Sequence, residues 1–165
     1  MLPLIWFCRL RPRGCRAPPG AGGLRTTAGG QAWTWAEVVA EAAARAALLE
    51  ELGLAGRHVG VLLDNVPEFV FLLAGAALSG AVVVGVNPTR RGEELGRDIR
   101  HTDCQVIVTE PAHRPLLDGL DVGLSDDRVL DVESDAYAMV VAEHRGAPAA
   151  APEVDDATQF LLLFT

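Results

Sequence analysis

The sequence predicts an α/β fold, with a doubly wound, mainly parallel sheet and flanking helices. Three short apolar runs, residues 58–63, 81–86 and 106–108, have the length and composition of buried strands. Segments with helical periodicity separate these runs, and each segment is too long for a hairpin turn. Strands that alternate with helices in this way pair in parallel through right-handed crossovers.

The helix between the first two runs has signals at both of its ends. Asn65 and Glu68 have the spacing of a capping box, and Pro67 occupies a position that a first helical turn tolerates. Ser79 and Gly80 are expected to end the helix. Its predicted core face carries Phe69, Leu72, Leu73 and Ala76. These features place one helix against one face of the sheet.

A second connection follows the run at residues 81–86. Asn87 and Pro88 predict a turn, and Leu95 and Ile99 have the i, i+4 spacing of a buried helical face. Because another strand is predicted at residues 106–108, this helix completes a second crossover.

An earlier helix is predicted before the first strand. Thr34 and Glu37 form a capping-box pattern, and Gly53 is suited to the end of the helix. The apolar stripe of this helix consists of Val38, Ala42, Ala46 and Leu49.

The C-terminal third predicts two more strands, at residues 128–132 and 159–164. A helix between them is expected to begin at Ser134 or Asp135. Its predicted buried face carries Tyr137, Val140 and Val141. Residues 146–152, which are rich in Ala, Gly and Pro, have the composition of a linker.

Charge divides the chain into two parts. Residues 1–30 contain five arginines and no acidic residue, whereas the remainder holds nine arginines and 22 acidic residues. We interpret residues 1–30 as a disordered basic tail or a spurious extension, and residues 31–165 as the α/β unit. The segment fits a secretory signal or an organellar targeting peptide less well. An acidic body argues against nucleic acid as a partner.

Reactive side chains do not form a recognisable site. The chain has no lysine, an odd number of cysteines without C-x-x-C spacing, and four histidines without a metal-binding spacing. G-x-S-x-G, G-x-x-x-x-G-K and G-x-G-x-x-G motifs are also missing. We therefore assign no catalytic residue and no metal ligand from the sequence.

A long uncharged stretch at residues 69–86 raises the alternative of a small membrane-inserted protein. Ser79 and Gly80 divide the stretch, and the valines at positions 82–84 favour a strand. A helix, a turn and a buried strand are therefore favoured over a membrane span.

The central stretch resembles the N-terminal part of adenylate-forming enzymes, the acyl-CoA synthetase superfamily. The matching pieces are HVGVLLDNVPEFVFLLAGAALSGAVVVGVNPT, followed by EEL and then DCQVIVTE. The variant around Thr89, Arg90 and Arg91 is most similar to long-chain and very-long-chain fatty acyl-CoA ligases. The resemblance covers roughly residues 33–165 and implies a partial N-terminal domain of the adenylate-forming fold.

The resemblance also implies an activity. In this family a carboxylate, here a fatty acid, reacts with ATP in the presence of Mg²⁺ to give an acyl-adenylate, and coenzyme A then forms the thioester. VDDATQFLLLFT is similar to the lead-in to the family's ATP phosphate loop, and Thr165 matches the first residue of that loop. The family's catalytic lysine has no counterpart here. Arg90 and Arg91 are interpreted as solvated residues at the start of a helix rather than phosphate ligands.

We expect that the chain is truncated at the start of this loop. On its own it should be inactive and should bind ATP, Mg²⁺ and coenzyme A poorly. The expected location is cytoplasmic, with peripheral membrane association as the alternative. A non-catalytic, free-standing α/β binding or interaction domain remains the alternative function. Acyl chain length and oligomeric state do not follow from the sequence.

Overall fold

A five-stranded parallel sheet organises the domain. The computed structural model describes residues 23–25, 30–149 and 158–163. Within these residues the strands of this sheet are β3 (His58–Leu62), β4 (Val82–Gly85), β5 (Cys104–Thr109), β6 (Val129–Asp131) and β7 (Leu161–Leu163). Their order across the sheet is β6-β5-β3-β4-β7, and every neighbouring pair is parallel.

Four α-helices accompany the sheet in the described residues. They are α1 (Trp35–Glu51), α2 (Pro67–Ser79), α3 (Gly92–His101) and α4 (Asp135–Glu143). Two short 3-10 helices, Arg114–Leu117 and Asp126–Arg128, lie between β5 and β6. The predicted strands and helices are therefore present in the predicted order. The end of the last predicted strand, Phe164, falls outside the described residues.

Helices cover both faces of the sheet, which confirms the doubly wound prediction. On one face, residues of α1, α2 and α4 pack against alternate residues of β3, β4 and β5 such as Val59, Val83 and Val106. On the other face, Leu95 and Ile99 of α3 pack with Leu62 and Ile107. The central strands are therefore buried on both sides, as their uninterrupted apolar sequences require.

Helix α1 begins and ends as predicted. Thr34 accepts a hydrogen bond from the Glu37 N–H, while the Glu37 carboxylate accepts one from the Thr34 N–H, so the capping box is complete. The helix gives way to Leu52 and then to Gly53, whose φ of 70° is left-handed. The predicted apolar stripe is buried throughout, including Val38 and Leu49.

The capping box predicted for α2 is wrong. The residue preceding the helix is Val66, and no side chain caps it. Glu68 instead forms hydrogen bonds with Arg45 of α1 and Tyr137 of α4. A half-buried carboxylate gains more from a guanidinium than from one backbone N–H, because the charged pair satisfies both of its oxygens.

Helix α2 ends as predicted and packs closely on α1. Gly80 has a φ of 76° and stops the helix in the left-handed conformation that glycine tolerates. Within the helix, a Cβ on Gly75 would lie 2.8 Å from the Arg45 Cβ and 3.0 Å from the Ala42 carbonyl oxygen. The absence of a side chain at Gly75 therefore sets the distance between the two helices.

Two local predictions need correction. Gly23–Arg25, which the sequence places in the basic tail, forms strand β1 and pairs antiparallel with β2 (Ala32–Thr34). In α4, Tyr137 and Val141 are buried as predicted, but Val140 is 36% exposed. Of the three predicted residues, only Tyr137 and Val141 face the core, because α4 contacts its neighbours along a narrow strip of its surface.

The uncharged stretch at residues 69–86 is a helix, a turn and a strand, as predicted. Among the described residues, no helix combines the length and the apolar character that crossing a membrane requires.

Candidate functional site at the carboxyl edge of the sheet

Polar residues gather where the parallel strands end. Asp64 follows β3, Asn87 follows β4, and Glu110 follows β5. Because all strands of the sheet run the same way, these residues lie along one edge. In open α/β sheets this carboxyl edge is where ligands bind.

The most compact group at this edge consists of Asp64, Glu110 and His113, which we call the β3–β5 cluster. The His113 Nε2 atom lies 2.9 Å from Asp64 Oδ1 and 3.3 Å from Glu110 Oε1. The Asp64 N–H donates a hydrogen bond of 2.8 Å to Glu110 Oε1. One imidazole and two carboxylates therefore meet in the crevice between two adjacent strands.

The backbone holds the β3–β5 cluster in place. The Glu110 carbonyl accepts hydrogen bonds from the N–H groups of both His113 and Arg114, which turns the chain directly after β5. Thr109 is fully buried, and its hydroxyl donates to the Leu62 carbonyl of β3. The sequence analysis assigned no metal ligands and missed this group, because its members are separated by 46 and 49 positions.

A turn after β4 forms the next part of the edge. Asn87 Oδ1 accepts hydrogen bonds from the Thr89 N–H (2.9 Å) and the Thr89 hydroxyl (2.8 Å). The Arg90 N–H donates to the Asn87 carbonyl at 3.2 Å. The predicted turn is therefore fixed by its own side chains, as is typical of Asx turns.

Arg90 and Arg91 have local partners at the start of α3. Arg90 lies 3.3 Å from Glu94 and 3.5 Å from Asp98. Arg91 donates hydrogen bonds to the carbonyls of Pro88 and Arg90. These contacts agree with the interpretation of both arginines as residues of the helix start.

The last strand runs towards the same edge. Strand β7 pairs in parallel with β4, and Leu163 lies opposite Gly85. The outer side of β7 has no partner strand among the described residues. Thr165, the residue proposed for the phosphate loop, falls outside the described residues.

A buried charged network stands beside the start of α2. Arg45 donates to both carboxylate oxygens of Glu68 at 2.8 and 2.5 Å, and the Tyr137 hydroxyl donates to Glu68 at 2.5 Å. Arg45 also pairs with Glu41, and its guanidinium lies 5.2 Å from the centre of the Phe71 ring. The network joins α1, α2 and α4.

Burial and charge shift the pKa values of this network. Burial by itself lowers the pKa of Arg45, but the hydrogen bonds and the charge of Glu68 outweigh this effect and raise it. Burial, together with the negative charge of Glu68, raises the pKa of Tyr137 well above its ordinary value. Both groups therefore keep their protons at neutral pH.

Cys104 has no features of a nucleophile. It is buried beneath α3, and burial raises the pKa of its thiol, although a hydrogen bond with Thr102 opposes this. His58 Nδ1 forms a hydrogen bond with the Thr102 carbonyl. His144 Nε2 lies 3.1 Å from Glu51 Oε2, but the geometry does not form a hydrogen bond.

Comparison with known proteins identifies the family. The sequence profile described as "AMP-binding enzyme" matches residues 15–165. This chain belongs to the AMP-binding enzyme family. The resemblance to adenylate-forming enzymes is thereby confirmed.

Two relatives of this AMP-binding chain are named as a CoA synthetase and a CoA ligase. It is 57% identical over 145 residues to steroid-22-oyl-CoA synthetase of Rhodococcus jostii (strain RHA1), covering 87% of this chain and 26% of that protein. It is 39% identical over 134 residues to medium/long-chain-fatty-acid–CoA ligase FadD17 of Mycobacterium marinum, covering 80% and 25%. The chain spans about a quarter of the length of these curated relatives.

Solved structures show the same fold. The complex of VinN with 3-methylaspartate has a TM-score of 0.76 and 27% identity, covering 90% of this chain and 40% of that one. A Mycobacterium tuberculosis fatty acyl CoA synthetase has a TM-score of 0.70 and 26% identity, covering 82% and 28%. The predicted fold class is confirmed.

The family implies an adenine nucleotide, and in open α/β sheets ligands bind at the carboxyl edge. Strands β4 and β7 run side by side towards this edge, where the Asn87 turn stands open to solvent. The charge of the edge is less suited to the phosphates of a nucleotide, because Asp64 and Glu110 are acidic. Arg90 and Arg91 already have partners within the chain. Neither arginine at the start of α3 is therefore free to pair with a phosphate in this structure.

Proposed function

We propose that residues 31–165 form a partial N-terminal α/β subdomain of an ATP-dependent acyl-CoA ligase. The observation that carries the proposal is the family match over residues 15–165, together with two relatives that are named as a CoA synthetase and a CoA ligase. In such an enzyme ATP, with Mg²⁺, supplies the activating group for the carboxylic acid, and coenzyme A supplies the thiol.

We infer that the substrate is a large apolar carboxylic acid. The resemblance of the Thr89-Arg90-Arg91 segment to long-chain ligases favours a fatty acid, as does the 39% identity to FadD17. The 57% identity to steroid-22-oyl-CoA synthetase supports a steroid acid more strongly. A steroid acid is therefore the first substrate to test. A cytoplasmic location, with or without peripheral membrane association, remains a prediction.

The role of this chain in the reaction is to support the nucleotide site. Strand β7 leads the chain to the carboxyl edge beside the Asn87 turn, since it pairs in register with β4. We propose that Thr165 begins the phosphate loop there and that its hydroxyl donates to a phosphate oxygen. Arg90 and Arg91 keep the start of α3 in place through Glu94, Asp98 and the Pro88 carbonyl.

The test is a chimera in which the matched segment of the Rhodococcus protein is replaced by the corresponding residues of this chain. We expect steroid-dependent release of pyrophosphate in the presence of ATP, Mg²⁺ and coenzyme A, within about tenfold of the parent protein. Long-chain fatty acids and short acids serve as competing substrates. Acceptance of fatty acids alone would leave the ligase function intact and overturn the steroid assignment.

A second variant tests the proposed site. Thr165→Val preserves the shape of the side chain but removes the hydroxyl, so in the chimera it should lower kcat by about 10²-fold, the usual cost of one donor to developing charge. A chimera that folds with the parent's stability but does not release pyrophosphate would contradict the ligase proposal and favour a non-catalytic binding domain.

A further inference from the structure

The β3–β5 cluster has the ligand set of a metal site that the proposed function does not use. We propose that Asp64, Glu110 and His113 bind one divalent transition-metal ion, such as Zn²⁺ or Mn²⁺. The proposal concerns the carboxyl edge between β3 and β5, and it stands whether or not the chain forms part of a ligase.

The distances within the cluster suit a single ion. With metal–ligand bonds of about 2.1 Å, tetrahedral or octahedral geometry places neighbouring ligand atoms roughly 3.0–3.4 Å apart. The His113 Nε2 atom lies 2.9 Å from Asp64 Oδ1 and 3.3 Å from Glu110 Oε1. All three ligand atoms lie within 4.8 Å of one another. The Asp64 side chain is 66% exposed, so a small rotation of this side chain can bring its Oδ1 atom into contact with the same ion.

The burial of Glu110 favours a cation beside it. Its side chain is only 9% exposed, and no arginine pairs with it among the described residues. Its oxygen Oε1 accepts the Asp64 N–H and lies 3.3 Å from His113 Nε2. A divalent ion at this position would coordinate the carboxylate, and buried carboxylates are stable when they are paired or coordinated.

The ligand types select the class of metal. An imidazole nitrogen beside two carboxylates suits Zn²⁺ or Mn²⁺, whereas Mg²⁺ prefers an all-oxygen octahedron. The three side chains leave one or more coordination positions for water on the exposed side of Asp64. The backbone already orients two ligands, because the Glu110 carbonyl accepts the His113 N–H.

The position of the cluster favours access. The chain that leaves β3 continues into α2 on one face of the sheet, while Leu117, after β5, packs on the other face. Connections that diverge in this way open a crevice between the strand ends. An ion reaching the crevice from solvent would bridge the ends of β3 and β5.

The proposal is tested on the untagged 165-residue chain by titration with Zn²⁺ against a chelating dye, and by the visible spectrum of the Co²⁺ form. We expect one ion per chain with micromolar or tighter affinity, and a Co²⁺ spectrum that differs from that of the aqueous ion. Binding to the folded state should also raise the thermal unfolding temperature as Zn²⁺ is added. Wild-type protein that binds Zn²⁺ only near millimolar concentration would overturn the proposal, whatever the variants do.

Matched variants locate the site. His113→Gln and Glu110→Gln should each weaken Zn²⁺ affinity by roughly 100-fold or more, because a lost ligand costs more than the 10–100-fold typical of a supporting residue. His101→Gln, at the exposed end of α3, should leave the affinity unchanged. Equal affinity in the His113→Gln and His101→Gln proteins would show that Zn²⁺ binds elsewhere and would refute the assignment.

Discussion

Replacing Arg45 with Met should reveal how strongly the buried network holds the three helices together. The Arg45 side chain is 8% exposed and that of Glu68 is 14% exposed, so neither charge is well solvated. Two hydrogen bonds, of 2.8 and 2.5 Å, join them. Met keeps most of the apolar bulk beside Phe71 but leaves the Glu68 carboxylate without its cation.

The expected cost is about 3–5 kcal/mol, the usual penalty for removing one member of a buried ion pair. At about 4 kcal/mol, the folding equilibrium constant falls by roughly three orders of magnitude. For a domain of this size, the unfolding temperature should fall by roughly 10 °C. Urea denaturation followed by circular dichroism measures the free energy of unfolding directly.

Two controls separate the charge effect from packing. Arg97→Met, at an exposed position of α3, should change stability by less than about 0.5 kcal/mol. The double variant Arg45→Met, Glu68→Leu should recover part of the loss, because the more deeply buried carboxylate is removed with its cation, although Glu41 stays unpaired and Tyr137 loses its hydrogen-bond acceptor. If Arg45→Met is no worse than Arg97→Met, the network does not stabilise the fold and the reasoning fails.

Four further outcomes are expected. Val83→Asp should cost more than about 4 kcal/mol, because it buries an unpaired charge at a strand residue that is 1% exposed; near-normal thermal unfolding would exclude Val83 from the core. Gly75→Ala should destabilise by about 1–3 kcal/mol despite the better helix propensity of Ala, because its Cβ meets the Arg45 Cβ at 2.8 Å; a gain in stability would disprove the close helix contact. Tyr137 is the single tyrosine of the chain and its pKa is raised, so unfolded chains lose its proton first and stability should decline as the pH rises above about 10. Ultraviolet absorbance should therefore show tyrosinate only as the protein unfolds, and reversible ionisation near pH 10 in folded protein would contradict this. The isolated 165-residue chain should release no pyrophosphate with ATP, Mg²⁺, coenzyme A and a fatty or steroid acid, because it contains no lysine to compensate phosphate charge; acid-dependent turnover that survives repurification would contradict this expectation.

The order of strands and helices could be predicted because it depends on local patterns. The fully apolar run in β4 predicts a strand that is buried on both faces. The i, i+4 pair of Leu95 and Ile99 predicts a helix with one buried face. The capping box at Thr34 was also predictable, since its donor and acceptor lie three residues apart. The same pattern at Asn65 and Glu68 gave a wrong prediction of a capping box, because Glu68 has a stronger partner in Arg45, 23 positions away.

The candidate sites, too, combine features that the sequence predicts with contacts between residues that are far apart in the sequence. The sequence by itself determined the α/β fold class, the family resemblance and the lack of lysine, because each is contained in short segments or in composition. Only the tertiary structure decided that Asp64 meets Glu110 and His113, and that Glu68 meets Tyr137. Parallel pairing joins strand ends that are distant in sequence, and no local pattern records which polar side chains will share the resulting edge.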